Sequence, residues 1–542
     1  MSQETPTKEK EKDSTTEFNT IALSLSGGGY RAAAFHLGSM AYLDRVGLLD
    51  KVTILSTVSG GTFTGALYAL YLARGKSFKD CYRHLYQCMD TIDLVEEGLK
   101  MLSENSQHDR KGSHNLINAM ADIYHHRFFD EALFSEILDT NTHLKEVIFN
   151  ATEFHHGLTF RFLSSQSNGA KIGNAQVNIT KDTAREIRVA DMVAASSCFP
   201  GGFEPLKFPH DFIHGTEPNL NKLLKKPPFE NGVGLMDGGI VDNQGIDSIL
   251  TTLNRNGNAK PDLFIISDVS SFYMDPLEFP DKFYSENKGY SLGIMKTGVI
   301  VAMVMVGLSA FAYVFLLLLR ICEKDWCSIA IEGFGLVIMA ILFYLLNTAR
   351  TMLGKKLLGH IPRIGNRAWA YLKKISVERL TEMMTVRASS MLTMVSDVNM
   401  KQVRRLIYNL VYSNSDYKFS RVSNLIDSLT KDKVIQRFGN EKFGNLRKPS
   451  KDLLETAESA CTMGTTLWFE DNNGENGKHK LRKLIASGEF TLCFRLLENI
   501  INRFGADPAQ YPPTILKLYK QLLADWDKFN GNPRFLLEEM DG

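Results

Sequence analysis

A serine that could act as a nucleophile stands at residue 59, in the stretch ILSTVSGGTFTGALYALYL (54–72). An apolar, β-branched run enters this stretch, a Ser-Gly-Gly turn follows and a helical pattern leaves, which is typical of a strand-turn-helix elbow. Such a turn can expose the Ser59 hydroxyl above a sheet and aim backbone N–H groups at the reaction product. The usual G-x-S-x-G elbow has a glycine where this chain has Thr57, so the stretch alone does not separate a nucleophile from an inert turn serine.

A base must take the proton of a serine nucleophile, and the stretch GLMDGGIVDNQGID (234–247) offers Asp237 before two glycines. Asp-Gly is first of all a turn signal. Glycines also remove the side chains that would keep a carboxylate turn away from the serine, so Asp237 is a candidate base. Three histidines are not excluded as alternative bases by their spacing: His36, His210 and His214.

The segment SGGGYR (26–31) could bind an anion through the backbone N–H groups of Gly27, Gly28 and Gly29 at the start of a helix. That anion could be a phosphate or a developing oxyanion. The segment continues as Tyr30-Arg31-Ala32 and meets the requirements of neither a Walker loop nor a dinucleotide-binding loop. Each of the three pieces is weak alone, and their occurrence in one region is the strong signal.

The elements that would position these residues alternate between strand and helix from Thr20 onwards, which predicts an α/β domain with a largely parallel sheet. Strand-like runs are TIALSLS (20–26), VTILSTV (52–58), LKEVIFNATEF (144–154), LTFRFLSS (158–165) and DLFIISDVS (262–270). Residues 79–149 are mainly helical in pattern, as are residues 188–197 and most of the chain after 351.

Composition bounds the class of protein. The chain has 542 residues, 44% of them apolar and 23% charged, which fits two or three folded domains. The formal net charge of +1 gives no general reason to expect a nucleic-acid partner. The seven cysteines form no C-x-x-C pair, and the adjacent histidine pairs lack metal-ligand spacing, so neither a metal nor a cofactor is expected. Residues 1–18 are polar and predict a disordered tail, with no secretory signal.

Two apolar runs predict a transmembrane helical hairpin over residues 296–350. Residues 298–319 are 22 positions without a charge, enough to span the bilayer, whereas the run at 328–346 is weaker because it contains Glu332. Most basic residues near the runs lie outside the short loop RICEKDWC (320–327), which predicts cytoplasmic flanking regions and a two-span protein, in the inner membrane if the source is bacterial. These residues are Lys282, Lys288, Lys296, Arg350, Lys355, Lys356, Arg363 and Arg367, against Arg320 and Lys324 in the loop.

In the loop, Cys322 and Cys327 could pair or remain free thiols. The basic and apolar stretch at 352–375 fits either a helix on an anionic leaflet or an amphipathic core helix.

Taken together, these motifs resemble the patatin-like phospholipase family. The likeness rests on SGGGYRAAAFHLG, STVSGGT and DGGIVDNQG, supported by VADMVAASSCFPGGFEP (189–205) and TTLWFEDNNGENGKHKLRKLIASGEF (465–490). The resemblance implies a three-layer α/β/α domain with a largely parallel central sheet, catalysing acyl ester hydrolysis with a Ser-Asp dyad.

The resemblance also implies roles for individual residues. Ser59 would be the nucleophile and Asp237 its general base, with no histidine required. Backbone N–H groups would form the oxyanion hole, in a segment closed by a basic residue. The residues concerned are Gly27, Gly28, Gly29, Gly60 and Arg31, with Gly61, Gly238 and Gly239 as further motif glycines.

The expected organisation is a tail at 1–18, a catalytic domain at 19–290, the hairpin at 296–350 and a mainly helical region at 351–542, part of which completes the catalytic domain. The expected function is a membrane-anchored serine hydrolase of phospholipids or lysophospholipids. Two alternatives stay open: a catalytically silent membrane-associated effector on the same fold, and an acyltransferase that uses the same dyad. The sequence leaves the oligomeric state open.

Overall fold

The computed structural model describes residues 16–103, 114–215, 217–257, 259–270, 290–323, 326–351, 374–438, 446–466 and 475–541. Two compact units divide the chain. The first unit combines residues 1–275 with residues 394–542, and the second comprises residues 276–393. The boundaries expected from the sequence stay predictions.

All strands of the described residues lie in the first unit. They are β1 (Ile21–Leu25), β2 (Val52–Val58), β3 (Glu146–Glu153), β4 (Leu158–Ser165), β5 (Ile172–Gly173), β6 (Asn178–Ile179), β7 (Leu206–Phe208), β8 (Val233–Asp237), β9 (Leu263–Asp268) and β10 (Arg421–Leu425).

The α-helices occur in both units. Those of the first unit before residue 276 are α1 (Gly29–Arg45), α2 (Gly60–Ala73), α3 (Phe78–Thr91), α4 (Leu94–Ser103), α5 (Leu116–Arg127), α6 (Phe134–Leu138), α7 (Lys181–Ala184), α8 (Val189–Ser197), α9 (Pro218–Leu223), α10 (Gly239–Asp242) and α11 (Ile246–Arg255). Those of the second unit are α12 (Leu292–Glu323), α13 (Trp326–Thr351) and α14 (Val377–Thr393). The first unit continues with α15 (Met400–Tyr412), α16 (Lys431–Phe438), α17 (Lys451–Cys461), α18 (Glu475–Phe504), α19 (Pro513–Gly531) and α20 (Phe535–Asp541).

The ten strands form one mixed sheet whose centre is parallel. Neighbouring strands β10, β9, β1, β2 and β3 all pair in parallel. Beyond β3 the sheet continues with antiparallel strands β4, β5 and β6, while β8 pairs antiparallel with the end of β3 and with β7. The carboxyl ends of β1, β2 and β9 therefore lie side by side, which brings the loops that follow them together.

Helices cover both faces of the parallel strands, because these strands are apolar on both sides. On one face, Ala22 and Phe264 pack with residues of α11 and α15. On the other face, Leu23, Leu55 and Ile265 belong to the main core with α1, α2 and α18. The predicted α/β class and its three layers are confirmed.

The region after the second unit contributes both to the sheet and to a helical layer. Strand β10 pairs with β9, and α18 packs along α1 at two glycines. A Cβ on Gly38 would lie 1.9 Å from the carbonyl oxygen of Ile485, and one on Gly488 would lie 2.0 Å from that of Phe35. The two helix backbones touch there, so neither position has room for a side chain.

The second unit contains two helices that are long and apolar enough to cross a membrane, by length and composition alone. The candidate spans are Gly293–Leu319 and Gly333–Thr351, and none of either span's apolar window is buried. The two helices pack against each other, with the Tyr313 ring against Gly335. Helix α14 begins beside the start of α12, where the N–H of Val377 donates to the carbonyl of Tyr290. Several predictions lie outside the described residues: the tail to residue 15, most of the basic stretch (352–373) and the side chains of Cys322 and Cys327.

Candidate active site

Ser59 lies between β2 and α2, at the strand-turn-helix junction that the sequence predicts. Its backbone has φ 50° and ψ −122°, a conformation that a residue with a side chain rarely adopts. The glycines that follow allow the turn to pack against the loop after β1. A Cβ on Gly60 would lie 2.0 Å from the carbonyl oxygen of Gly29, and one on Gly61 would lie 2.6 Å from that of Leu25.

Thr57 replaces the usual first glycine of the elbow, and its side chain is fully buried. Its Cγ2 methyl occupies space beside Gly65, where an added Cβ would lie only 2.4 Å away. Its hydroxyl lies 3.1 Å from the Thr62 hydroxyl and 3.3 Å from the carbonyl oxygen of Ile148. Gly65 on α2 therefore provides the room that the branched side chain needs.

The glycine loop between β1 and α1 contacts the elbow directly, since a Cβ on Gly27 would lie 3.0 Å from the Ser59 Cβ. Gly28 and Gly29 have φ of 141° and 57°, which glycine adopts readily. Gly28 is the N-cap of α1, and Gly29 and Gly60 are the first residues of α1 and α2. The N–H groups of these three residues therefore have no acceptor within a helix. Among the described residues, no hydrogen bond occupies these three donors.

Two residues expected at the oxyanion hole have other contacts. The N–H of Gly27 donates to the carbonyl of Asn243 at 3.0 Å. The buried Arg31 guanidinium donates to the carbonyl of Met463. These contacts hold the loop in place at Gly27 and Arg31, and within the described part of the chain the N–H groups of Gly28 and Gly29 have no hydrogen-bond acceptor.

Asp237 ends strand β8 and is 2% exposed. Its Oδ1 accepts the N–H of Gly239 at 2.7 Å. Burial raises the pKa of Asp237 to about 6, although the interaction with the Ser59 side chain and the hydrogen bond from Gly239 act in the opposite direction. The carboxylate is thus mostly ionised at neutral pH and lies near the Ser59 side chain.

The motif glycines next to Asp237 allow close packing around it. A Cβ on Gly238 would lie 2.4 Å from the carbonyl oxygen of Asn150. One on Gly239 would lie 2.6 Å from the Asn243 Oδ1. Gly238 therefore requires glycine, because an added Cβ would meet backbone, whereas at Gly239 an added Cβ would meet only side-chain atoms, which would have to shift.

The histidines that the sequence left as alternative bases have other roles. The ring of His36 is buried between the Ser267 hydroxyl at 2.9 Å and the Ser26 carbonyl at 3.0 Å, and burial lowers the pKa of His36 to about 4. His214 pairs with Asp191 at 2.7 Å. Within the described chain, no histidine, His210 included, is hydrogen-bonded to Ser59 or Asp237.

Ser196 is a residue of the site that the sequence did not single out. It lies near the end of α8, and its hydroxyl accepts the Ser59 N–H at 2.9 Å. Its stretch, VADMVAASS, contributes to the family resemblance, but nothing in the resemblance singles out Ser196. The described residues contain no group of three or more histidines, cysteines or acidic residues that could hold a metal ion.

Comparison with protein families identifies the region of the chain that contains these residues. A model of the patatin-like phospholipase family matches residues 23–250, a span that contains the glycine loop, Ser59 and Asp237. No curated protein matches the chain. The family supports a lipid acyl hydrolase activity. Residues 23–250 are therefore a patatin-like phospholipase domain.

Proposed function

We propose that this protein is a membrane-anchored serine hydrolase that cleaves fatty acyl esters of phospholipids or lysophospholipids. The observation that carries this proposal is the placement of the buried Asp237 carboxylate near the Ser59 side chain, which lowers the pKa of Asp237. It occurs at a strained elbow beside a loop with free backbone N–H groups. The match to a phospholipase family supports the substrate class.

In the proposed first step, Asp237 takes the Ser59 proton as the hydroxyl oxygen attacks the ester carbonyl. The N–H groups of Gly28, Gly29 and Gly60 stabilise the negative charge that develops on the carbonyl oxygen. When the intermediate collapses, the carbon–oxygen bond to the glycerol breaks and protonated Asp237 returns its proton to the leaving alkoxide. The fatty acyl group is then esterified to Ser59.

In the second step, water attacks the acyl-enzyme and gives a proton to Asp237. The same N–H groups stabilise the second oxyanion. Collapse of this intermediate releases the fatty acid and returns the proton to Ser59. The dyad operates in both steps with one carboxylate, because a pKa near 6 lets Asp237 accept and return a proton near neutral pH.

Membrane anchoring is the part of the proposal that the two apolar helices of the second unit support. The basic residues around them favour a cytoplasmic catalytic unit, as the sequence predicts, at the inner membrane if the source is bacterial. An anchor raises the local concentration of a lipid substrate without adding a catalytic contact. Because Gly65 leaves room for the Thr57 side chain, the absence of the usual elbow glycine is compatible with the proposed activity.

The test is release of fatty acid from position-labelled phospholipids and lysophospholipids by the purified full chain in mixed micelles. Ser59→Ala and Asp237→Asn should each lower the rate at least about 1,000-fold, because each removes a member of a unit that acts together. The matched control is Ser103→Ala, an exposed serine at the end of α4, which should keep the wild-type rate.

Products are analysed with and without an added alcohol acceptor, since acyl transfer to the acceptor would identify an acyltransferase. The proposal is wrong if the wild-type protein releases no fatty acid from any lipid, or if the Ser59 variant matches the Ser103 control.

A further inference from the structure

Ser196 contacts Ser59 and the residue that follows Asp237, so it touches both turns of the proposed dyad. Its side-chain oxygen accepts the backbone N–H of Ser59 at 2.9 Å. Its backbone carbonyl accepts the N–H of Gly238, the residue after Asp237, at 3.2 Å. Ser196 is fully buried, so water does not compete for either contact. One residue therefore joins the turn that carries Ser59 to the turn that carries Asp237.

The hydrogen bonds of Ser196 also have a determined direction. Its hydroxyl donates to the carbonyl of Asn150 at 2.6 Å, and a hydroxyl has only one proton to donate. The Thr62 hydroxyl, 2.9 Å away, must therefore be the donor to Ser196. With the Ser59 N–H as its second donor, the Ser196 oxygen uses both of its acceptor sites.

These hydrogen bonds of the Ser196 hydroxyl reach the backbone of Ser59, the residue with the strained conformation. A backbone conformation such as that of Ser59 persists only where its surroundings determine it. The Ser196 hydroxyl orients the Ser59 N–H and, through the same peptide, the direction of the side chain. The Ser196 carbonyl holds the neighbouring peptide of Asp237, whose own N–H donates to Cys198 at 2.9 Å.

We propose that Ser196 is a positioning residue, which holds Ser59 in its strained conformation and fixes it against Asp237. This inference rests on the proposed function for its catalytic consequence. Its structural part, the bond from the Ser59 N–H to the Ser196 oxygen, is independent of any activity. Ser196 touches no reacting atom and acts through the two turns that it joins.

The variant Ser196→Ala removes the acceptor of the Ser59 N–H and of the Thr62 hydroxyl. We expect kcat to fall about 10- to 100-fold, the consequence of leaving a buried donor unpaired in the active conformation. KM should change less than about threefold, because Ser196 is not part of the substrate surface. Ser196→Cys keeps a weaker acceptor and should fall between Ser196→Ala and wild type.

The matched control is Ser197→Ala. Ser197 is also buried on α8, but its hydroxyl donates to the carbonyl of Val193 at 2.7 Å. Ser197→Ala therefore removes one buried side-chain hydrogen bond of the same helix, as Ser196→Ala does, but it removes no contact to Ser59. The Ser197 variant should therefore keep a kcat within about threefold of wild type, which separates positioning from general loss of stability.

Amide hydrogen exchange measures the same contact without catalysis. The Ser59 N–H should be protected in the wild type, and Ser196→Ala should raise its exchange rate at least about tenfold while Ser197→Ala does not. All variants are measured below their melting temperatures, and Ser196→Cys replaces Ser196→Ala if the latter does not fold.

The two outcomes that overturn this proposal are equal exchange at Ser59 in the Ser196 and Ser197 variants, and equal kcat in the two. Failure of the proposed function is a different result, in which Ser59→Ala retains the wild-type rate of fatty acid release. If Ser196→Ala still increases exchange at Ser59 in that case, the contact between Ser196 and Ser59 is supported and only its proposed role in catalysis is wrong.

Discussion

Replacing Asp237 by asparagine should abolish hydrolysis and, above pH 6, make the folded protein more stable. Asp237 is fully enclosed, and burial raises its pKa from 3.8 to about 6. The ionised carboxylate therefore destabilises the folded state relative to the unfolded chain. Asparagine resembles the protonated acid, keeps an oxygen for the Gly239 N–H and carries no charge at any pH.

The magnitude follows from the pKa difference. A shift of about two units corresponds to about 3 kcal/mol of unfolding free energy, at about 1.4 kcal/mol for each unit. The folded state holds its proton at higher pH than the unfolded chain does. Wild-type stability therefore falls as pH rises from 3.8 to about 6 and stays lower above that range. About 1.4 kcal/mol of this loss lies between pH 5 and pH 7.

The assay is thermal unfolding of the wild type and Asp237→Asn between pH 5 and pH 8. The melting temperature of the variant should exceed that of the wild type, by a margin that grows to several degrees above pH 6. The control is Asp182→Asn, whose carboxyl is 76% exposed and should give no such dependence on pH. In parallel, the wild-type rate of ester cleavage should fall about tenfold for each pH unit below 6, as Asp237 becomes protonated. A margin that is constant with pH, or a rate that persists unchanged to pH 4, would refute the reasoning.

Two further predictions concern packing and charge around the site. Gly65→Ala would place a Cβ 2.4 Å from the Thr57 methyl and should lower the free energy of unfolding by about 1–3 kcal/mol, a loss that Thr57→Gly added to the same chain should largely reverse. Chemical denaturation of both single variants and the double variant measures this, and strictly additive effects would contradict it. Arg404→Met should destabilise the first unit by about 3–5 kcal/mol, because it leaves the buried Asp268 carboxylate without the guanidinium that lies 2.7 Å away. Burial opposes ionisation of Asp268, yet Arg404 keeps its pKa below the usual value, so an unchanged melting temperature in the variant would show that this ion pair contributes nothing.

Most of the parallel centre of the sheet and the two long apolar helices could be predicted from the sequence, because long apolar runs and regular alternation determine them locally. Strands β1, β2 and β9 lie within the runs that the pattern indicates. Strand β10 (Arg421–Leu425) was not predicted, since five residues reading RVSNL carry no alternation of their own. It forms a strand because β9 pairs with it, and that pairing cannot be read from the five residues themselves.

The candidate site divides in the same way. Ser59, Asp237 and the glycines are positioned by local turns whose composition is visible in the chain. Ser196 is far from Ser59 in sequence, and its role depends on α8 packing against the elbow. The occupied N–H of Gly27 likewise depends on Asn243, from a loop after a different strand. Such contacts leave no spacing signal, so only the folded arrangement identifies them.

Thr57 shows that the elbow motif requires space between strand and helix and does not require a glycine at one particular residue. The usual glycine two residues before the nucleophile matters because the outgoing helix must come close to the strand. In this chain the glycine is on the helix instead, at Gly65 of α2. The Thr57 methyl fills the space that Gly65 leaves between strand and helix. The threonine also provides a hydroxyl within 3.1 Å of Thr62, whose own hydroxyl donates to Ser196 behind the elbow. A departure from the consensus at residue 57 is therefore compatible with a tight elbow, and it adds a buried hydroxyl to the contacts that hold Ser59 in place.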